Sequence, residues 1–163
     1  MNPSPKFVFI AGASRGIGNG FANAMLARNG VHTVFCAARS GANNEALTQL
    51  STSHPERVVT LDLDVTDEES VKDCAARVRE RAPRLDWIIN TVGLLHNGND
   101  MRPERQLADV QPGNIMRSFE VNSMGPLLLA KHLSRLLPRR EPCTVATLSA
   151  RVGSISDNRL GGW

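Results

Sequence analysis

The sequence predicts an α/β fold, a doubly wound parallel sheet with about five strands present. Three observations predict it. Short apolar runs alternate with longer amphipathic segments along the chain. The first run, Phe7-Val8-Phe9-Ile10-Ala11, is apolar at every position, as a strand buried on both faces requires. A glycine-rich turn, Gly12-Ala13-Ser14-Arg15-Gly16-Ile17-Gly18, then leads into a helical pattern.

The elements follow in order. A helix is expected over Ile17–Arg28, with Ile17, Phe21, Ala24 and Met25 on one face and Asn29-Gly30 ending it. Val31–Ala37 reads as the second strand and Glu45–Leu50 as a helix. Val58–Leu61 is a third strand, running into the acidic stretch Asp62–Asp67. Thr66 is expected to cap the next helix, with Glu69 as its capping-box partner. That helix runs to about Arg81, and Pro83 closes it. Leu85–Asn90 is the fourth strand, and Leu94–Gly113 is a polar stretch of loop with some helix. Ile115–Leu137 reads as one long helix stopped by Pro138. Thr144–Leu148 is the fifth strand, and Ser149–Trp163 looks like loop. Such alternation implies βαβ units.

The 163 residues are 41% hydrophobic and 21% charged, which suits one domain with a packed core and argues against disorder. No repeat, low-complexity tract or linker divides them, so 1–163 is read as a single domain. A net charge of +3 fits a pocket for an anionic ligand and is too weak to argue for nucleic acid. The basic stretch Lys131–Arg140 has no interleaved aromatics for base stacking, and charge at a helix C-terminus is ordinarily solvated. Cys36, Cys74 and Cys143 stand far apart, which suggests reduced, buried thiols in a cytoplasmic protein. The four histidines show no metal-ligand spacing, so no metal is expected. No apolar run approaches a membrane span, and the apolar stretch at Phe7 is too short and too soon broken for a signal peptide.

The turn between the first strand and first helix carries the strongest functional signal. Its glycines permit positive φ and close approach of backbone to a ligand. The helix behind it offers unpaired N–H groups and a positive dipole end, which suit a pyrophosphate. In its strand–turn–helix setting this predicts a Rossmann-type dinucleotide site.

The spacing G-x-x-x-G-x-G differs from the standard G-x-G-x-x-G. It resembles the turn of short-chain dehydrogenases/reductases, and other signposts of that family follow in order. Leu63-Asp64-Val65 resembles the acidic position after the third strand, whose carboxylate meets the adenine. Asn90-Thr91-Val92-Gly93 resembles the family's N-N-A-G element. Thr91 and Val92 depart from it, which is expected to loosen hydrogen bonding at the strand end. Val121-Asn122, followed by Gly125, resembles the active-site helix asparagine. Leu148–Ser154 resembles the segment of the catalytic serine. Within the family, the C-factor-like subgroup is the nearest resemblance, through Ala13-Ser14-Arg15-Gly16-Ile17-Gly18 and Ser149–Ile155. On this resemblance the cofactor-binding residues are Gly12, Ser14, Arg15, Gly16, Ile17, Gly18, Arg39, Asp64, Val65, Asn90 and Gly93.

NAD sites commonly carry an acid about 20 residues past the turn, and NADP sites a nearby arginine. Ala38-Arg39 falls there, with no acid. Arg39 and Arg15 together suit a 2′-phosphate through charge-assisted bonds, so NADP(H) is expected over NAD(H).

The resemblance implies hydride transfer between the nicotinamide and a carbonyl or alcohol carbon. A tyrosine acts as general acid/base there, and a lysine four residues later lowers its pKa. This chain has no tyrosine, and its lysines are Lys6, Lys72 and Lys131. The sequence stops at Trp163, about where the Tyr-x-x-x-Lys element and the last strands and helices would begin, so truncation is expected. The remaining catalytic candidates are Asn122 and Ser149. The family serine usually stands three residues before a glycine, a place held here by Ala150; a one-residue insertion restores Ser149. The alternative is a catalytically inactive nucleotide-binding protein with a C-factor-like signalling role. Leucines at 127, 128, 129, 133, 136 and 137 nearly encircle the long helix, and the resemblance implies a homo-oligomer in the full-length form.

Overall fold

The computed structural model describes residues 5–98 and 101–156. Five strands form one parallel sheet: β1 (Lys6–Ala11), β2 (Val31–Ala38), β3 (Val58–Asp62), β4 (Trp87–Asn90) and β5 (Thr144–Thr147). Their order is β3-β2-β1-β4-β5. The chain steps outward from β1 to β3, then returns to the other side of β1 for β4. The order therefore reverses between β1 and β4, where open α/β sheets bind ligands at the carboxyl ends of their strands.

The continuous apolar run of β1 is explained by the two layers it separates. Phe7, Phe9 and Ala11 join the cluster that contains Phe35, Val71, Val78, Leu129 and Leu133. Val8 and Ile10 join the other, with Ala22, Met25, Val34 and Leu47. The first layer packs under α3 (Glu68–Arg81) and α5 (Gly125–Leu133), the second under α1 (Gly16–Leu26) and α2 (Glu45–Ser53).

Two local expectations are corrected. Asp67, rather than Thr66, caps α3: its side chain accepts from the Glu69 N–H at 3.1 Å. The Thr66 hydroxyl instead donates to Asp64. The single long helix is also interrupted. α4 (Pro112–Phe119) passes into a π-turn over Glu120–Met124 before α5 begins. Pro126 lacks the N–H that an α-helix would aim at the Asn122 carbonyl, so the ladder shifts register there. Gly125 has its own reason: a Cβ would lie 2.9 Å from Val65 Cγ2, so glycine lets this helix meet the loop after β3.

Among the described residues no helix is long and apolar enough to cross a membrane, and no group of three or more His, Cys, Asp or Glu could hold a metal ion. Cys36 and Cys74 are buried, as expected, whereas Cys143 is exposed because it lies just ahead of the lightly covered β5.

Candidate functional site

A cleft of about 1070 Å³ opens at the carboxyl ends of the strands. The turn after β1 forms one wall. The Gly12 and Ala13 N–H groups both donate to the Ala37 carbonyl, at 2.8 and 3.1 Å, which fastens the turn to β2. Gly12 has φ +83°, and a Cβ there would sit 2.7 Å from Thr91 Oγ1. Gly18 packs tighter still: its Cβ would fall 2.1 Å from the Gly12 carbonyl oxygen. Gly16 differs, with φ +51° and open space where a side chain would start. Two glycines thus close the turn on itself, and the third leaves its outer side clear.

No side chain caps the N-terminus of α1, and no acid lies in its first turn. Among the described residues its first N–H groups and positive dipole end are therefore without a side-chain cap, and an anion in the cleft can satisfy them. Arg15 precedes the helix in an extended conformation, and Arg39 follows β2; both are exposed and line the cleft. Ser14, Ile17, Val65 and Gly93 line it too.

Asp64 stands beyond the end of β3 on the cleft wall. Partial burial alone would raise its carboxyl. The Thr66 O–H and N–H donate to Oδ1 at 2.7 and 2.9 Å, and the fields of Arg117 and Arg39 add to them. Their combined effect wins, and the carboxyl titrates below the ordinary carboxylate value.

The end of β4 is held by side chains. Thr91 Oγ1 donates to the Ala11 carbonyl at 2.7 Å, and the Thr91 N–H reaches the same oxygen at 3.0 Å. The departure from N-N-A-G thus supplies a strand-end bond where a loosened one was expected. Asn90 is buried and does not line the cleft; its Oδ1 accepts from the Val92 N–H at 3.0 Å. Asn122 sits in the π-turn. Its Oδ1 accepts from the Leu94 N–H at 2.8 Å and its Nδ2 donates to the Leu94 carbonyl at 2.7 Å, so it holds the loop after β4 at both backbone groups. Ser149 is exposed beyond β5 and is not among the residues that line the cleft.

The structure brings together Gly12, Ser14, Arg15, Gly16, Ile17, Gly18, Arg39, Asp64, Val65 and Gly93 around the cleft. Sequence reasoning missed Arg117, Thr66 and His96, which line it as well. Arg117 comes 51 residues after Thr66, and no local pattern announces their meeting.

The short chain dehydrogenase family profile matches residues 6–159. The chain belongs to the short-chain dehydrogenase family. A short chain dehydrogenase from Monascus purpureus is 34% identical over 152 residues, 89% of this chain and 49% of that protein. Among solved structures, the NADPH-bound carbonyl reductase from chicken fatty liver superposes with a TM-score of 0.83 at 26% identity, over 96% of this chain and 61% of that one. An NADP-bound short-chain dehydrogenase/reductase from Burkholderia multivorans gives 0.82 at 28% identity, over 98% and 64%. This short-chain dehydrogenase chain therefore spans about half to two thirds of the length of these relatives.

Proposed function

We propose that this chain is the NADP(H)-binding portion of a short-chain oxidoreductase that transfers hydride between NADPH and a carbonyl or alcohol substrate. The observation that carries the reading is the turn Gly12–Gly18. It is closed by glycines that admit no side chain, open at Gly16, and backed by an uncapped helix N-terminus. In this reading the pyrophosphate lies against Ser14, Gly16, Ile17 and Gly18. Arg15 and Arg39 take the 2′-phosphate, which favours NADP over NAD. Asp64 and Val65 meet the adenine. Asn90 and Gly93 shape the end of β4 beneath the ligand.

When bound, NADPH supplies the hydride. Asn122 fixes the Leu94 backbone at the substrate end of the cleft, and Ser149 is assigned to the substrate oxygen. A phenol shifted by a neighbouring lysine is the remaining requirement, and these 163 residues contain no tyrosine. Binding without turnover is the expected behaviour of this chain. The C-factor-like resemblance supports a second reading, a catalytically inactive nucleotide-binding protein with a signalling role. A Tyr-x-x-x-Lys element continuing in the reading frame supports the first reading; a stop codon after Trp163 supports the second.

The protein is assigned to the cytoplasm, with a small carbonyl or alcohol compound as partner and neither nucleic acid nor membrane. A homo-oligomer of the full-length form is supported by exposed apolar side chains on one helical stretch: Met116, Phe119, Met124 and Leu127. The test is a titration of the 163-residue chain with NADPH and with NADH, following nicotinamide fluorescence, with carbonyl reduction assayed in the same tube. Binding of NADPH without turnover supports the assignment. A folded chain that binds neither dinucleotide defeats it.

A further inference from the structure

We propose that Arg117 is a positioning residue that sets which purine base the cleft accepts, acting through Thr66 on the Asp64 carboxylate. The inference rests on the dinucleotide reading of the cleft. Arg117 Nη1 on α4 lies 3.5 Å from Thr66 Oγ1 and 3.3 Å from Glu120 Oε2. Thr66 Oγ1 lies 2.7 Å from Asp64 Oδ1. Asp64, Thr66 and Arg117 all line the cleft.

The direction of this chain of bonds follows from the groups themselves. A guanidinium only donates and a carboxylate only accepts. The hydroxyl between them must therefore turn a lone pair to Arg117 and its proton to Asp64, and each bond polarises the other. The Thr66 N–H loads the same Oδ1 at 2.9 Å. Oδ2 is left as the acceptor for a ligand. Glu120 has a supporting part: one turn along the helix, it holds the guanidinium toward Thr66.

A carboxylate pinned in this way accepts from an amino group at purine C6 and repels a carbonyl oxygen there. Hypoxanthine offers such an oxygen, with an N–H one ring atom away. A freely turning carboxylate could swing to that N–H; one held at Oδ1 by two donors cannot follow. Base choice therefore depends on the clamp as well as on the charge. Arg117 paired with Glu120 alone would be an ordinary surface ion pair, with little effect on either ligand.

The test measures the dissociation constants of NADPH and of reduced nicotinamide hypoxanthine dinucleotide phosphate. The proteins are the wild-type chain, Arg117→Met, Thr66→Val and the double variant. Wild type should prefer the adenine form by roughly tenfold or more, the worth of one hydrogen bond to a charged group. Each single substitution should cut that preference several-fold, mainly by weakening NADPH, and the double variant should lose little more than either alone. Equal weakening of both dinucleotides by Arg117→Met, or an unchanged preference, overturns the inference while leaving the dinucleotide reading intact. Wild type binding neither compound overturns both. Thr66→Val is nearly isosteric and carries the test if Arg117→Met does not fold.

Discussion

Thr91 Oγ1 occupies the place that a Cβ on Gly12 would need. The hydroxyl donates to the Ala11 carbonyl at 2.7 Å and stands 2.7 Å from the virtual Gly12 Cβ. The end of β4 and the start of the phosphate turn are thus built against each other. Thr91→Val keeps the shape and removes the donor. It should cost about 1 kcal/mol in urea unfolding, the usual worth of one such bond, and weaken NADPH binding by loosening the turn. Unchanged stability and affinity would show that the backbone bond from the Thr91 N–H suffices.

The glycines of the turn should separate by experiment. Gly18→Ala drives a methyl group to 2.1 Å from a backbone oxygen, so the turn must open. We expect large destabilisation, a few kcal/mol or more, from overpacking against backbone that cannot swing aside. Gly16→Ala meets nothing, and its cost is the left-handed backbone, about 1–2 kcal/mol. It should fold, yet bind NADPH poorly because the methyl group enters the open side of the turn. Thermal melts beside titrations give both readings.

The cysteines differ by burial, and their chemistry should follow. Burial pushes the Cys36 and Cys74 thiols from about 9 up to about 12. An aryl disulfide reagent should modify Cys143 quickly in the native chain, and all three thiols only after unfolding. The pH sign follows from the same shift. Unfolded thiols ionise near 9 while the folded ones stay protonated to about 12. Their contribution is fully present below pH 9 and is lost as pH rises toward 12. Replacing both by alanine should flatten stability across that window.

Asp86 is 1% exposed and immediately precedes β4. Its Oδ2 accepts from the Phe7 N–H and its Oδ1 from Lys6 Nζ, both at 2.9 Å. Arg84 Nη2 lies 3.4 Å away and makes no hydrogen bond, so it contributes charge alone. Asp86→Ala leaves the buried Phe7 N–H and the Lys6 ammonium without their acceptor and removes the carboxylate charge beside Arg84. A loss of about 3 kcal/mol is expected in urea titration. A loss below about 0.5 kcal/mol, the range of ordinary surface substitutions, would mean that water replaces the carboxylate.

Much of the fold is legible in the sequence because parallel strands buried on both faces leave unbroken apolar runs. Phe7–Ala11 is the clearest case. The phosphate turn is legible because tight turns demand glycine. Arg39 is legible by its distance from that turn and Asp64 by resemblance to the family's acidic position after the third strand, and both line the cleft. The rest depended on contacts between distant residues. Thr66 and Glu69 have capping-box spacing, but Asp67 lies nearer the helix start, and the Asp64 carboxylate claims the threonine hydroxyl. Pro126 disturbs a helix whose apolar pattern continues past it, so periodicity hides the break. Arg117 reads as a surface helix residue until α4 carries it to the cleft.

The NADP(H) site is tested first by titrating the purified 163-residue chain with NADPH and NADH at modest salt. NADPH should bind saturably, at least roughly tenfold tighter than NADH through the two charged contacts of Arg15 and Arg39 to the 2′-phosphate. Equal affinity for the two would contradict the arginine assignment. No binding by a folded chain would contradict the site itself.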